Sequence, residues 1–234
     1  MKYEITTVSL NGFGKTLYQI RALKDFGDVK SGDLGGWIES EKNLSQESNA
    51  WVSGNARVSG NAKVFGGAEV SGDARVSGYA NISRNACVSG SASVSGSARI
   101  SGNARVSDDA SVSGDARVSG DARVSGNARV SGDARVSGNA KVADNADVFG
   151  KARVYGNAII KNSKFPQMKR SDGYDFISVP CSDGKMRVIA GCRYFTFKEA
   201  KKHWKETRSG TPLGDETMFI LKCLKKYVKM VDNH

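Results

Sequence analysis

The residues able to carry chemistry are few. The 234-residue chain has two histidines, His203 and His234, and four cysteines, Cys87, Cys181, Cys192 and Cys223. So little imidazole weighs against general acid–base work at neutral pH. Cys181, Cys192 and His203 stand eleven residues apart, which matches no metal-ligand spacing, and neither CxxC nor HxxxH occurs. Buried, reduced thiols are the ordinary reading of these cysteines. Asp108-Asp109 pairs two carboxylates, which reads as a solvated turn. Neither a phosphate-cradling GxxxxGK[ST] nor a GxSxG nucleophile turn is present. No metal and no cofactor is expected. What the chain has in abundance is positive charge: 35 Lys and Arg against 24 Asp and Glu.

The element that positions those charges is a repeat. From Trp51 to Ile160 the unit Val-Ser-Gly-[Asn/Asp]-Ala-[Arg/Lys] recurs every six residues. Nineteen sites from Val52 to Ile160 are all Val or Ile, and Ala56 to Ala158 fill the small position. A six-residue period does not hold one face of a 3.6-residue helix, and a Ser-Gly pair in each turn is costly there. Short strands fit. In Ala-Arg-Val-Ser the Val points inward while Arg and Ser point outward. Gly-Asn or Gly-Asp turns the corner, because both residues tolerate positive φ. Three corners close a triangle of eighteen residues, and the next triangle stacks about 4.8 Å above it. The product is a parallel β-helix, a solenoid.

This pattern resembles the hexapeptide-repeat family, whose fold is a left-handed parallel β-helix. The handedness comes from the resemblance, since chain physics alone favours a right-handed crossover. Ile38 and Leu44 carry the register backward, so the solenoid is expected from 37 to 164. Residues 1–36 read as a hairpin cap, with strands Tyr3 to Leu10 and Thr16 to Leu23 around Asn11-Gly12-Phe13-Gly14. Residues 165–234 read as a small α+β (ββαα) module. Its strands are Tyr174 to Pro180 and Met186 to Cys192. A first helix opens at the Thr196–Glu199 capping box, and a second is capped by Asp215, with Met218, Leu221, Leu224 and Tyr227 or Val228 on one face. Asp33-Leu-Gly-Gly-Trp-Ile-Glu-Ser and Ala190-Gly-Cys-Arg-Tyr-Phe-Thr resemble segments of uncharacterised enterobacterial and phage members labelled putative acyltransferases. The family implies a homotrimer, with a His base near a loop that interrupts the repeat. Residues 51–160 contain neither a His nor a long insertion. An acyltransferase would have to use His203.

Charge is uneven along the chain. Residues 1–50 carry −1, residues 51–160 carry +4 and residues 161–234 carry +8. Stacking by eighteen places Lys63, Asn81, Arg99, Arg117, Arg135 and Arg153 on one face. The neighbouring outward column starts at Phe65 and ends at Tyr155, five rungs or about 24 Å away. A basic strip bracketed by aromatics suits an acidic partner. Equally, corner residues such as Asp115 and Asp133 could neutralise the strip and leave it a solvated face. Arg193, Lys198, Lys201, Lys202, Lys205 and Arg208 make a second basic patch near Trp204, and Lys222, Lys225, Lys226 and Lys229 add to it.

Hydrophobic residues at 39% exclude wholesale disorder. No apolar run is long enough to span a bilayer, and no signal-peptide core opens the chain. A soluble, cytoplasmic protein without a membrane partner is expected. The reading is a non-catalytic scaffold that binds an acidic protein, with the phage resemblance implying a host protein as the target of an inhibitor or adaptor. A nucleic-acid-binding scaffold and a hexapeptide acyltransferase are the alternatives. Nearly identical units from Val112 to Ala140 leave register to be fixed by odd units such as Phe65-Gly66-Gly67, Arg84 and Ala143-Asp144.

Overall fold

The computed structural model describes residues 1–12, 14–161 and 166–231. Phe13, His234 and the expected 164/165 boundary lie outside these residues, as does the side chain of Lys229.

The repeat folds as a parallel β-solenoid. Each unit contributes a two-residue rung, such as Arg117–Val118, which pairs in parallel with Arg99–Ile100 on one side and Arg135–Val136 on the other. Val118 and its neighbour Ala116 are fully buried, whereas Arg117 is exposed. The main chain of each rung donates to the next coil, as in Arg117 N–H to Ala134 O and Ser119 N–H to Val136 O, both 2.9 Å. Three sheets form the faces. One begins with a hairpin of β1 (Tyr3–Gly12) and β2 (Lys15–Ala22), passes through β3 (Leu34–Ile38), and continues from Arg57–Val58 to Asp147–Val148. The others run from Trp51–Val52 to Ile159–Ile160 and from Lys63–Val64 to Arg153–Val154. Trp37 and Ile38 pair with Arg57 and Val58, and Leu44 bridges Val64.

The corners explain the glycines. Gly114 has φ +67°, and a Cβ there would lie 2.9 Å from the backbone N of Gly132 in the next coil. Three corners use another residue in the left-handed region: Arg84 (φ 60°), Asp108 (φ 59°) and Asp144 (φ 57°). Asp108 compensates by accepting the Gly126 N–H at 2.9 Å, which ties two coils together. Corner side chains also stack in hydrogen-bonded series, as in Asn85 to Asn103 (3.2 Å) and Asn103 to Asp121 (2.9 Å).

Both ends of the core are closed. At the bottom, Tyr3 donates its hydroxyl to Leu44 O at 2.8 Å and stands edge-on to Trp51. Lys2 is buried beside them and donates to Ser48 O (2.7 Å) and Ala50 O (2.6 Å). Burial lowers its pKa from 10.5 to about 8. At the top, an antiparallel sheet of Gln167–Lys169, Asp175–Pro180, Met186–Ala190 and Arg193–Thr196 covers the last coil. Strand alternation splits its side chains. Ile177, Val179 and Ile189 join the solenoid core. Phe176, Val188 and Ala190 pack instead on helices α1 (Phe197–Arg208) and α2 (Pro212–Val231). The module therefore has four strands where sequence showed two. The Thr196–Glu199 capping box forms, with the Thr196 N–H donating to Glu199 at 2.8 Å. The cap of α2 differs. Thr211 accepts the Gly214 N–H at 3.1 Å, and Asp215 sits within the first turn. Pro212 fits that first turn because its missing N–H would be unpaired there. On α2 it is Val228, not Tyr227, that turns inward.

Candidate binding surface

Arg99, Arg117, Arg135 and Arg153 stand on consecutive rungs of one face, in strict register. Strand geometry spaces them about 4.8 Å apart. Two residues upstream, an outward column adds Asp115, Asp133 and Lys151. The two columns line a groove of about 410 Å³, in which five cations face two carboxylates. Among the described residues, no ion pair holds any of the four arginines or Lys151. Asp115 and Asp133 thus share the groove without being clamped to the guanidinium groups. Adjacent like charges at this spacing repel by about 1 kcal/mol in water, and a bound anion would relieve that.

Lys63 heads the same column, one rung below Asn81, but does not line the groove. Phe65 is exposed. Tyr155 differs from expectation. It is half-buried against the core, 5.6 Å from the ring of Tyr194, with its hydroxyl buried and unpartnered. Burial pushes its pKa above the ordinary tyrosine range. It turns inward because the C-terminal sheet closes over that last coil, so it does not bracket the ladder. Arg193, Lys198, Lys201, Lys202, Lys205 and Arg208 are all exposed, while Ala200 and Trp204 are the residues that α1 buries. Trp204 packs between Phe176 and Phe195 and offers no stacking face to that patch. Part of the module's positive charge is internal. Arg170 is buried, chelates Asp172 at 2.9 and 2.7 Å, and lies over the Tyr174 ring.

A second cavity, of about 330 Å³, which no sequence motif signals, lies where the last coils meet the module. Lys151 and Arg153 line it as well as the ladder groove. Its other walls include Tyr174, Asp175, Ile177 and Ile189. Tyr174 donates to Ala190 O at 2.9 Å, and Cys192 lies exposed beside it. Lys151 was findable, because counting by eighteen along the corner position gives Ser97, Asp115, Asp133 and Lys151. Asp175 was not, being one acidic residue among several in the module.

With this geometry on the page, comparison with known proteins shows what the coils are similar to. The model of the YdcK β-solenoid repeat matches residues 50–67, 98–114, 110–126, 116–132, 122–138 and 128–142. Over these stretches the coils are similar to YdcK β-solenoid repeats. A protein of Escherichia coli (strain K12) named "Uncharacterized acetyltransferase YdcK" is 53% identical over 36 residues, which is 15% of this chain. The chain covers 11% of that relative's length, so it spans only a small part of it.

The coils hold no histidine. His203 lies on α1, packed against Phe195 and Trp204 at 5.2 Å each. Burial and the nearby Arg193 lower its pKa. Among the described residues, no side-chain hydrogen bond orients its imidazole, as a general base requires. Cys181 is buried with its sulfur 2.8 Å from the Tyr194 hydroxyl, and the four cysteines are unlinked. No helix among the described residues is long and apolar enough to cross a membrane.

Proposed function

We propose that this protein is a non-catalytic scaffold whose arginine ladder binds an acidic protein surface. One observation carries the reading: four guanidinium groups in register, free of ion pairs, in a single groove. The paired rungs fix the backbone spacing of the ladder, so on binding only the exposed arginine side chains have to be ordered. Asp115 and Asp133 within the groove favour a partner of mixed charge. A nucleic-acid backbone presents only negative charge and would meet both carboxylates unfavourably. The small share of a relative named as an acetyltransferase adds no base and no donor pocket to this chain.

The test is calorimetric titration of the intact chain with a glutamate-rich peptide carrying interspersed lysines and, separately, with oligothymidylate, at low and moderate salt. Tighter binding of the peptide that persists at moderate salt supports the reading. Binding of the oligonucleotide alone, lost steeply with salt, would replace it with an electrostatic nucleic-acid binder.

A further inference from the structure

Along the solenoid axis the ladder face changes in steps. The Arg99 rung carries Ser97 beside its arginine and is singly positive. The Arg117 and Arg135 rungs set each arginine beside Asp115 or Asp133 and sum to zero. The Arg153 rung carries Lys151 as well and is doubly positive. Below Ser97 the same outward column continues with Tyr79, on the Asn81 rung. The Tyr79 backbone is held on both sides: its N–H donates to Gly96 O at 2.7 Å, and its carbonyl accepts from Asn81 Nδ2 at 2.9 Å. Its side chain is 64% exposed, so an aromatic ring stands in water at the lower end of the ladder.

Spacing selects the backbone of the partner. Four paired rungs at about 4.8 Å set Arg99 and Arg153 about 14 Å apart along the axis. An α-helix laid along that axis returns a side chain to one face about every 5.4 Å, and glutamates at i, i+3, i+7 and i+10 span about 15 Å. An extended strand returns a side chain to one face about every 6.6 Å, so four glutamates span about 20 Å and the outer two overshoot the ladder. A polyproline helix, at about 9.3 Å per turn, overshoots further. Charge gives the direction. The C-terminal end of a helix is partially negative and suits the doubly positive rung of Lys151 and Arg153. Its first turn then lies over Tyr79, about 4.8 Å below the Arg99 rung and so about three residues before the first glutamate.

We infer that the ladder takes an acidic α-helix laid along the solenoid, its N-terminus over Tyr79 and its C-terminus toward Lys151 and Arg153, and that Tyr79 packs on an apolar residue of its first turn. The inference rests on the ladder reading. Four glutamates on one face of the helix meet the four guanidinium groups rung by rung. Lysines beside the middle two glutamates meet Asp115 and Asp133. An apolar side chain on the Tyr79 ring removes from water a surface that the solenoid leaves exposed. Exposed ion pairs are individually weak, so selectivity for a helix comes from making all four at once on rungs whose spacing the sheet fixes.

The experiment uses the intact chain and four fluorescein-labelled peptides of alanine, glutamate and lysine. The first begins with Leu and carries glutamates at i, i+3, i+7 and i+10, with lysines beside the middle two. The second has the same composition with its glutamates on alternate residues. The third replaces Leu by Ala, and the fourth moves Leu to the far end. Fluorescence polarisation should favour the first over the second about tenfold, since alternate spacing forfeits the two outer pairs. It should favour the first over the third and fourth about threefold, the worth of a partly buried Leu. Tyr79→Ser should remove that preference for a leading Leu and leave the third peptide binding as before. Equal or tighter binding of the second peptide overturns the helix and leaves the ladder reading standing. A preference for Leu that is absent, or that survives Tyr79→Ser, overturns the role of Tyr79, and tighter binding of the fourth peptide overturns the direction. No binding by any of the four overturns both the helix and the ladder reading. An oligothymidylate that displaces the first peptide and binds more tightly overturns the assignment of a protein partner.

Discussion

Two alanine substitutions in one corner column separate backbone strain from steric conflict. Gly114 and Gly150 have φ +67° and +64°, so each pays the same left-handed penalty when a Cβ is added. That penalty is about 1–2 kcal/mol, offset by about 0.4–1 kcal/mol because alanine restricts the unfolded chain. Gly150→Ala, with nothing within 4 Å of its new Cβ, should therefore cost about 1 kcal/mol. At Gly114 the Cβ would lie 2.9 Å from the N and 3.0 Å from the O of Gly132. Both contacts are backbone, which no rotamer change relieves. The coil above must lift, straining neighbouring bonds such as Ser113 N–H to Val130 O and Arg117 N–H to Ala134 O, both 2.9 Å. One or two weakened hydrogen bonds bring the total to about 2–3 kcal/mol. Urea unfolding of the two purified variants, followed by circular dichroism, measures the difference. Equal losses, or a larger loss for Gly150→Ala, would refute the claim that stacking of the next coil is what excludes side chains from the corner.

Deleting eighteen residues within 112–140 should remove one coil and keep every Val and Ala on its face, so a cooperative melt survives near the original temperature. Deleting six rotates all later rungs onto the wrong face and separates the ends from their register, and its melt should fall well below that of the longer deletion. The buried Lys2 makes stability depend on pH. Its pKa is lowered from 10.5 to about 8, so the unfolded chain binds more protons between these values and stability rises with pH across that window. Denaturant midpoints from pH 8 upward should show the rise in the parent chain and lose it in Lys2→Met.

The solenoid was legible because each position of the six-residue unit answers to its own constraint. Val and Ile fill the core, Ala the tight corner, Gly the positive φ, and none is exchangeable with the others. Ile38 and Leu44 revealed the first coil for the same reason. The ladder followed from counting by eighteen. What stayed hidden depends on how the ends fold over the solenoid. Tyr155 and Trp204 read as surface aromatics, yet the C-terminal sheet and α1 enclose them. No sequence pattern marks Lys2 and Arg170, yet both are buried among backbone carbonyls, a carboxylate or aromatic rings. The junction pocket depends on contact between segments far apart in the chain, and no local pattern encodes it. Gln167–Lys169 is only three residues long, too short for alternation to show.

The central claim is that one face of the triangle binds and the others do not. Charge reversal tests it directly. Arg117→Glu with Arg135→Glu alters the ladder, and Arg105→Glu with Arg123→Glu makes the same net change on exposed, in-register positions of another face. Affinity for the glutamate-rich peptide should fall at least about tenfold for the first pair and stay nearly unchanged for the second, because exposed charges beyond a Debye length of about 8 Å are screened. Equal losses from both pairs would show that binding follows net charge alone, and would contradict a built site on the ladder face.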